Sequence, residues 1–176
     1  MRSIEIRAAT PADAEAIADV HLQSHLETYP PLVGAENYWP RSKESHLAQW
    51  QQALAGPGVA FVAGDAGRII GFTHALGERI TTLYILANWH RLGIGRALLR
   101  RLCQALAGRG VPKATFAVLA VNAPAIAFYE SLGARATGSV VIEEREGSYE
   151  DRLFEIDTAL FVRLPPPLPS PLNSQT

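Results

Sequence analysis

The chain has 176 residues, 48% of them hydrophobic and 19% charged, with a formal net charge of -1. This is one domain's worth of sequence, too apolar for general disorder and without the eighteen-residue apolar run of a membrane helix. One cysteine, Cys103, excludes an internal disulfide framework and a cysteine-built zinc site, and the near-neutral charge argues against nucleic acid as a partner.

Residues 3–9 alternate, with Ile4, Ile6 and Ala8 on one side, and read as a strand. Thr10 and Pro11 start a helix that carries Ala14, Ile17 and Ala18 and reaches His25. Residues 28–41 hold three prolines and three large aromatics and read as a loop; a second helix follows over 42–54, stopped by Gly56-Pro57-Gly58. Residues 59–64 and 69–76 form a hairpin around Asp65-Ala66-Gly67-Arg68, and residues 80–86 a fourth strand. Residues 93–107 make a strong helix closed by Gly108 and Gly110. The apolar run 114–121 predicts a strand buried on both faces. Asn122 caps a helix that ends at Gly133, and residues 140–146 and 151–161 predict two closing strands. Hairpins at both ends and helical crossovers between them imply a mixed sheet in an α/β domain over residues 1–163. Residues 164–176 contain five of the twelve prolines and read as an extended, disordered tail. The N-terminal segment lacks the apolar stretch of a secretory signal, which points to the cytoplasm.

Charge is unevenly distributed. Between Arg79 and Tyr129 there are seven basic residues and no acidic one, whereas the remainder sums to -8. A basic centre in an acidic shell points to a bound anion. The place for it is His90-Arg91-Leu92-Gly93-Ile94-Gly95-Arg96, which follows a strand and opens a helix. Helix N-termini carry unpartnered N–H groups and the positive end of the dipole, and Gly93 and Gly95 would let an anion approach them. Around this helix Ile94, Leu98, Leu99, Leu102 and Leu106 fill an apolar arc, with Arg96 and Arg100 opposite. The P-loop pattern is absent, and the dinucleotide fingerprint lacks its third glycine and its later acidic residue.

The string His90 to Gly95 resembles the Gln/Arg-x-x-Gly-x-Gly/Ala motif of the GNAT superfamily of N-acetyltransferases. Leu83-Tyr84-Ile85 is similar to the family's Leu-Tyr-Val strand, and Asn122 through Gly133 to its Asn-x-x-Ala-x-x-Phe-Tyr-Glu-x-x-Gly stretch. The resemblance covers all but the tail. It implies a twisted, mixed, mostly antiparallel sheet of about seven strands flanked by about four helices, with acetyl-CoA as donor and no metal. It places the pyrophosphate on the amides from Leu92 to Arg96, with His90 and Arg91 beside it. It runs the pantetheine arm along Tyr84 and Ile85, with Asn122 on the far wall. An amide near Ile85 would hold the thioester oxygen, and Tyr129 would protonate the departing thiolate. The implied reaction is acetyl transfer to a primary amine, of a small molecule or a protein N-terminus, by direct attack in a ternary complex.

Glu27, Tyr29, Tyr38 and Trp39 lie in a connection that borders the acceptor site in this family; an acid among aromatics can hold an ammonium group. The position where some members carry a carboxylate base falls near Arg79, with Glu78 beside it as a weak candidate. His21 and His25, one turn apart, read as helix-face histidines without a third metal ligand. A non-catalytic acyl-CoA-binding regulatory module is the alternative reading. Nucleotide binding and transfer to a hydroxyl acceptor are further ones. Exposed strand edges leave room for a homodimer.

Overall fold

Seven strands form one sheet in a computed structural model of the chain, which describes residues 4–38, 40–144 and 147–163. The strands are β1 (Ile4–Ala8), β2 (Val59–Asp65), β3 (Arg68–Leu76), β4 (Arg79–Ile85), β5 (Lys113–Leu119), β6 (Arg135–Glu144) and β7 (Gly147–Asp157), in the order β1-β2-β3-β4-β5-β7-β6. Every neighbouring pair is antiparallel except β4–β5. The β2–β3 turn is the two-residue hairpin that the sequence predicts, with Ala66 and Gly67 both at positive φ, 48° and 83°. The tail 164–176 and Trp39 lie outside the described residues.

Helices cover both faces. On one, α1 (Ala14–Thr28) and α3 (Lys43–Ala55) bury Ile17, Ala18 and Trp50 against Val62, Phe72 and Leu86. On the other, α4 (Ile94–Gly108) and α5 (Ala123–Ser131) pack with α6 (Thr158–Arg163) over Ile70, Ile80, Phe116 and Phe154. Leu98, Leu99 and Leu102 of α4 are fully buried, as its periodicity requires. A four-residue helix, α2 (Pro30–Val33), and a 3-10 turn at Ala35–Asn37 sit inside the segment read from sequence as a loop.

Three expectations need correction. The strand buried on both faces is β3, whose residues from Ile69 to Ala75 are all buried. β5 instead alternates, with Thr115 exposed and Ala117 half-buried, because α1 lies over β3 and β4 and does not reach that far. β6 begins at Arg135, five residues before the sequence reading. Residues 158–163 are helix and not strand: the Asp157 carboxylate accepts the Leu160 N–H at 2.7 Å, and Thr158 and Phe161, three apart, are the buried pair.

The entry to α1 is pinned to β1. Both guanidinium nitrogens of Arg7 donate to Asp13, at 2.8 and 2.7 Å, and the Thr10 backbone N–H donates to the same carboxylate at 2.7 Å. These partners, Arg7 foremost, lower the Asp13 pKa to about 2. A depressed carboxylate contributes stability above its unfolded value near 4 and loses it as the pH falls through about 2. Asp13→Asn is therefore expected to cost about 1–2 kcal/mol in urea unfolding at pH 7, with the deficit shrinking between pH 4 and pH 2.

Candidate active site

β4 and β5 touch at one end only. Arg79 pairs with Thr115, whose N–H donates to the Glu78 carbonyl at 3.0 Å, and no further register follows. Beyond that point β4 stays paired with β3 as far as Ile85, and β5 with β7 as far as Leu119. The gap between them is a cleft of about 870 Å³. A β-bulge between His74 and Ala75 twists the β3–β4 pair at the root of this divergence.

The inner edges of the cleft carry peptide groups released from the sheet. The Leu86 N–H donates to the Ile70 carbonyl at 3.0 Å. Antiparallel alternation then turns the peptide groups of Tyr84 towards Phe72 and those of Leu83 and Ile85 away from β3. The backbone groups on offer are thus those of Leu83 and Ile85, and Tyr84 contributes its phenol. The lining runs along β4 from Arg79 to Tyr84, and Ile85 stands one residue beyond, towards α4. There His90 Nε2 donates to the Ile85 carbonyl at 2.7 Å, which ties the loop before α4 to the end of β4.

At the α4 N-terminus the first intrahelical bond runs from the Ala97 N–H to the Gly93 carbonyl, leaving the amides of Ile94, Gly95 and Arg96 without helical acceptors. Gly93 sits at φ +78°, and a Cβ there would meet nothing within 4 Å, so glycine is required for the backbone and the approach is open. Arg91 also holds a left-handed conformation, at φ 62°. Gly95 serves differently from the sequence reading. Its missing Cβ would lie 3.2 Å from both Ile85 Cδ1 and Phe128 Cζ, so it lets α4 approach β4 and α5. Ile94 is a core residue, while His90 and Leu92 are exposed.

The cleft passes through the sheet. On the α4–α5 face Asn122 and Tyr129 line it together; the Asn122 side chain accepts the Ala125 N–H at 3.2 Å, and the Tyr129 ring lies 4.4 Å from that of Phe116. On the α1–α3 face the wall is His25, Tyr29, Tyr38 and Tyr84. Tyr29 and Tyr38 stack with ring centroids 5.8 Å apart. The Tyr84 hydroxyl lies 2.9 Å from that of Tyr29 and 3.0 Å from His25 Nε2. Behind them Trp50 Nε1–H donates to His21 Nδ1 at 3.0 Å. This puts the proton of neutral His21 on Nε2, from where it points at His25 Nε2, 3.0 Å away. Burial raises the pKa of Tyr29, Tyr38, Tyr84 and Tyr129, so each presents a protonated hydroxyl at neutral pH.

Glu27 is not part of this wall. Its two oxygens accept the Gln23 side-chain amide at 2.8 Å and the Ala87 N–H at 2.9 Å, so it fastens α1 to the connection after β4. Glu78 lies in the turn before β4 and does not line the cleft. Three charged residues that the motifs did not single out for the acceptor side do line it: Arg41, Arg79 and Asp151. His21, His25 and His46 pack ring against ring, yet among the described residues they form no metal-holding group. Cys103 is buried and pushed up to about 12, which leaves it a packing residue.

The sheet, its split and the glycine turn before α4 define an acetyltransferase fold, and the family model described as Acetyltransferase (GNAT) family matches residues 20–134. The chain belongs to this family. It is 25% identical over 148 residues to the phosphinothricin N-acetyltransferase of Streptomyces viridochromogenes, covering 79% of this chain and 78% of that protein. Its fold is similar to that of the ribosomal-protein-S18-alanine N-acetyltransferase of Escherichia coli (TM-score 0.66, 22% identity, 89% of this chain and 94% of that one). It is also similar to the PaiA N-acetyltransferase of Thermoplasma acidophilum in complex with coenzyme A (TM-score 0.68, 21% identity, 88% and 99%).

Burial lowers His21 to about 2 and His25 to about 4. The unfolded chain therefore takes up protons below pH 6.5 that the folded chain refuses, and stability falls as the pH falls from 6.5 towards 4. Urea unfolding between pH 7.5 and pH 4.5 is expected to show that decline, at most about 1.4 kcal/mol per pH unit from His21. His25→Asn is expected to make it shallower.

Proposed function

We propose that the protein moves an acetyl group from acetyl-CoA to a primary amine, by direct attack with both substrates bound. The observation that carries this reading is the split between β4 and β5, with the Ile85 peptide at its edge and Tyr129 on its wall. Edge peptide groups that leave a sheet need new hydrogen-bond partners. The amides of a pantetheine arm laid along β4 supply them in strand-like fashion. Ile94, Gly95 and Arg96 amides receive the pyrophosphate where the helix dipole is positive, and His90, Arg91, Leu92 and Gly93 form the turn around it. That the structural neighbour from Thermoplasma acidophilum is in complex with coenzyme A supports a CoA thioester as the donor.

The thioester then reaches the end of β4. The Ile85 N–H, aimed away from β3, holds the carbonyl oxygen as it gains negative charge. Tyr129 keeps its proton through burial and gives it to the departing sulfur. Asn122 holds the first turn of α5, which carries Tyr129. The amine enters on the opposite face, between Tyr29, Tyr38 and Tyr84, where aromatic faces favour a cationic or amine head. The names of the relatives supply two acceptors to try, phosphinothricin and a peptide with an N-terminal alanine.

Calorimetric titration is expected to show acetyl-CoA binding, displaced by CoA and not by ATP or NAD. Release of free thiol is expected with at least one amine of a panel headed by those two. Tyr129→Phe is expected to lower kcat by about 100-fold or more with the Kd for acetyl-CoA unchanged. Binding without turnover on any amine would favour the non-catalytic acyl-CoA module, and loss of binding in folded protein would remove the donor.

A further inference from the structure

Asp151 is the one carboxylate among the described residues that line the cleft. It sits on β7 opposite Leu119, the last residue of β5. Strand alternation puts it on the face of the sheet that bears Thr115 and Ala117, opposite to the face of Phe116, Phe154 and Tyr129. That is the side of Tyr29, Tyr38 and Tyr84, where the acceptor enters. Among the described residues the Asp151 carboxylate has no hydrogen-bond partner and no salt bridge. A partly buried carboxylate with no fixed partner is costly unless something cationic visits it. Glu27 is committed to the Ala87 N–H, and Glu78 lies outside the lining.

We propose that Asp151 docks the acceptor's ammonium group and takes its first proton, an assignment that rests on the acetyl-transfer reading above. A protonated amine has no lone pair with which to attack. One N–H bond breaks, its proton goes to an Asp151 oxygen and on to water, and the freed pair forms the C–N bond at the thioester carbon. The C–S bond breaks with its electrons on sulfur, which takes the Tyr129 proton. The second proton shed by nitrogen, as it becomes an amide, restores the phenol. Amine and thiol thus sit on opposite faces of the sheet, as a displacement through the split requires.

The groups facing Asp151 fit the role. Arg79 at the root of the split lowers its proton affinity, and burial raises it more strongly, which leaves it above an ordinary aspartate. The Tyr29 hydroxyl feels the Asp151 charge. Arg41, Tyr38, Tyr84, Tyr129, Tyr149 and His25 complete the titratable and charged set of the lining. Among the described residues no other one of the lining offers a carboxylate to an ammonium ion.

The test compares full-length wild type, Asp151→Asn and Asp151→Glu with the amine that wild type acetylates fastest in the panel, from pH 6 to pH 10. Asp151→Asn is expected to lose about 100-fold in kcat/KM for the amine at pH 7. The deficit should close as the pH approaches the amine's own pKa, with acetyl-CoA binding unchanged and Asp151→Glu recovering part of the rate. An Asn variant that follows the wild-type pH profile overturns the assignment and leaves acetyl transfer standing. A loss of equal size at every pH also overturns it, since a merely structural role has no reason to vanish in base. Wild type that binds acetyl-CoA and acetylates no amine overturns the acetyl-transfer reading, and this assignment with it.

Discussion

The structure turns on a sheet that fails to close. β4 and β5 are the one parallel pair, and they pair at Arg79 and Thr115 alone. Each then keeps its outer neighbour, β3 for one and β7 for the other, so the sheet behaves as two half-sheets joined at a root. Unpaired backbone groups in an interior are costly, and a fold can keep them only where water or a ligand satisfies them. The split therefore reads as a site before any side chain is considered. The phenols and the Asp151 carboxylate line it, and the glycine turn at the α4 N-terminus lies beyond the end of β4.

What holds the gap open is packing on both faces. On one, α4 comes close to β4 and α5 because Gly95 has no side chain to separate Ile85 from Phe128. On the other, α1 and α3 carry a buried polar core in place of a purely aliphatic one. From Trp50 through His21 on one side, and from the Tyr29 and Tyr84 hydroxyls of the cleft on the other, hydrogen bonds converge on His25 Nε2. Such a network is directional. An aliphatic wall of the same volume would leave the Tyr84 and Tyr29 hydroxyls unaimed. Its cost is that the imidazoles must stay neutral, which burial and the nearby Arg41 charge enforce.

The two glycines of the motif illustrate how one pattern hides two physical duties. Gly93 is there for a left-handed φ with open space in front of it, and Gly95 for contact behind it. Glu27 makes a similar point about charge. It lies in the acceptor-bordering segment, yet its oxygens hold the connection after β4 to α1. Asp151, far away in sequence and in no motif, is the carboxylate that faces the cleft.

Local patterns were enough to determine much of the molecule. Period-two and period-3.6 runs marked the strands and the long helices, and the β2–β3 turn was legible from Asp65-Ala66-Gly67-Arg68, where Gly67 suits a positive φ and Ala66 adopts one against its own preference. The helix-opening glycines, the Tyr-Ile strand end and the Asn-to-Tyr spacing on α5 were legible too, since each lies within a few residues of chain. Tertiary structure decided what depends on distant partners. That β3 and not β5 is buried on both faces follows from where α1 lies, which no stretch of β5 encodes. Residues 158–163 became helix because Asp157 caps them and Thr158 and Phe161 are buried together. The meeting of His25, Tyr29, Tyr84 and Asp151 joins α1, the segment after it, β4 and β7, and residues so far apart share no sequence period that could announce it.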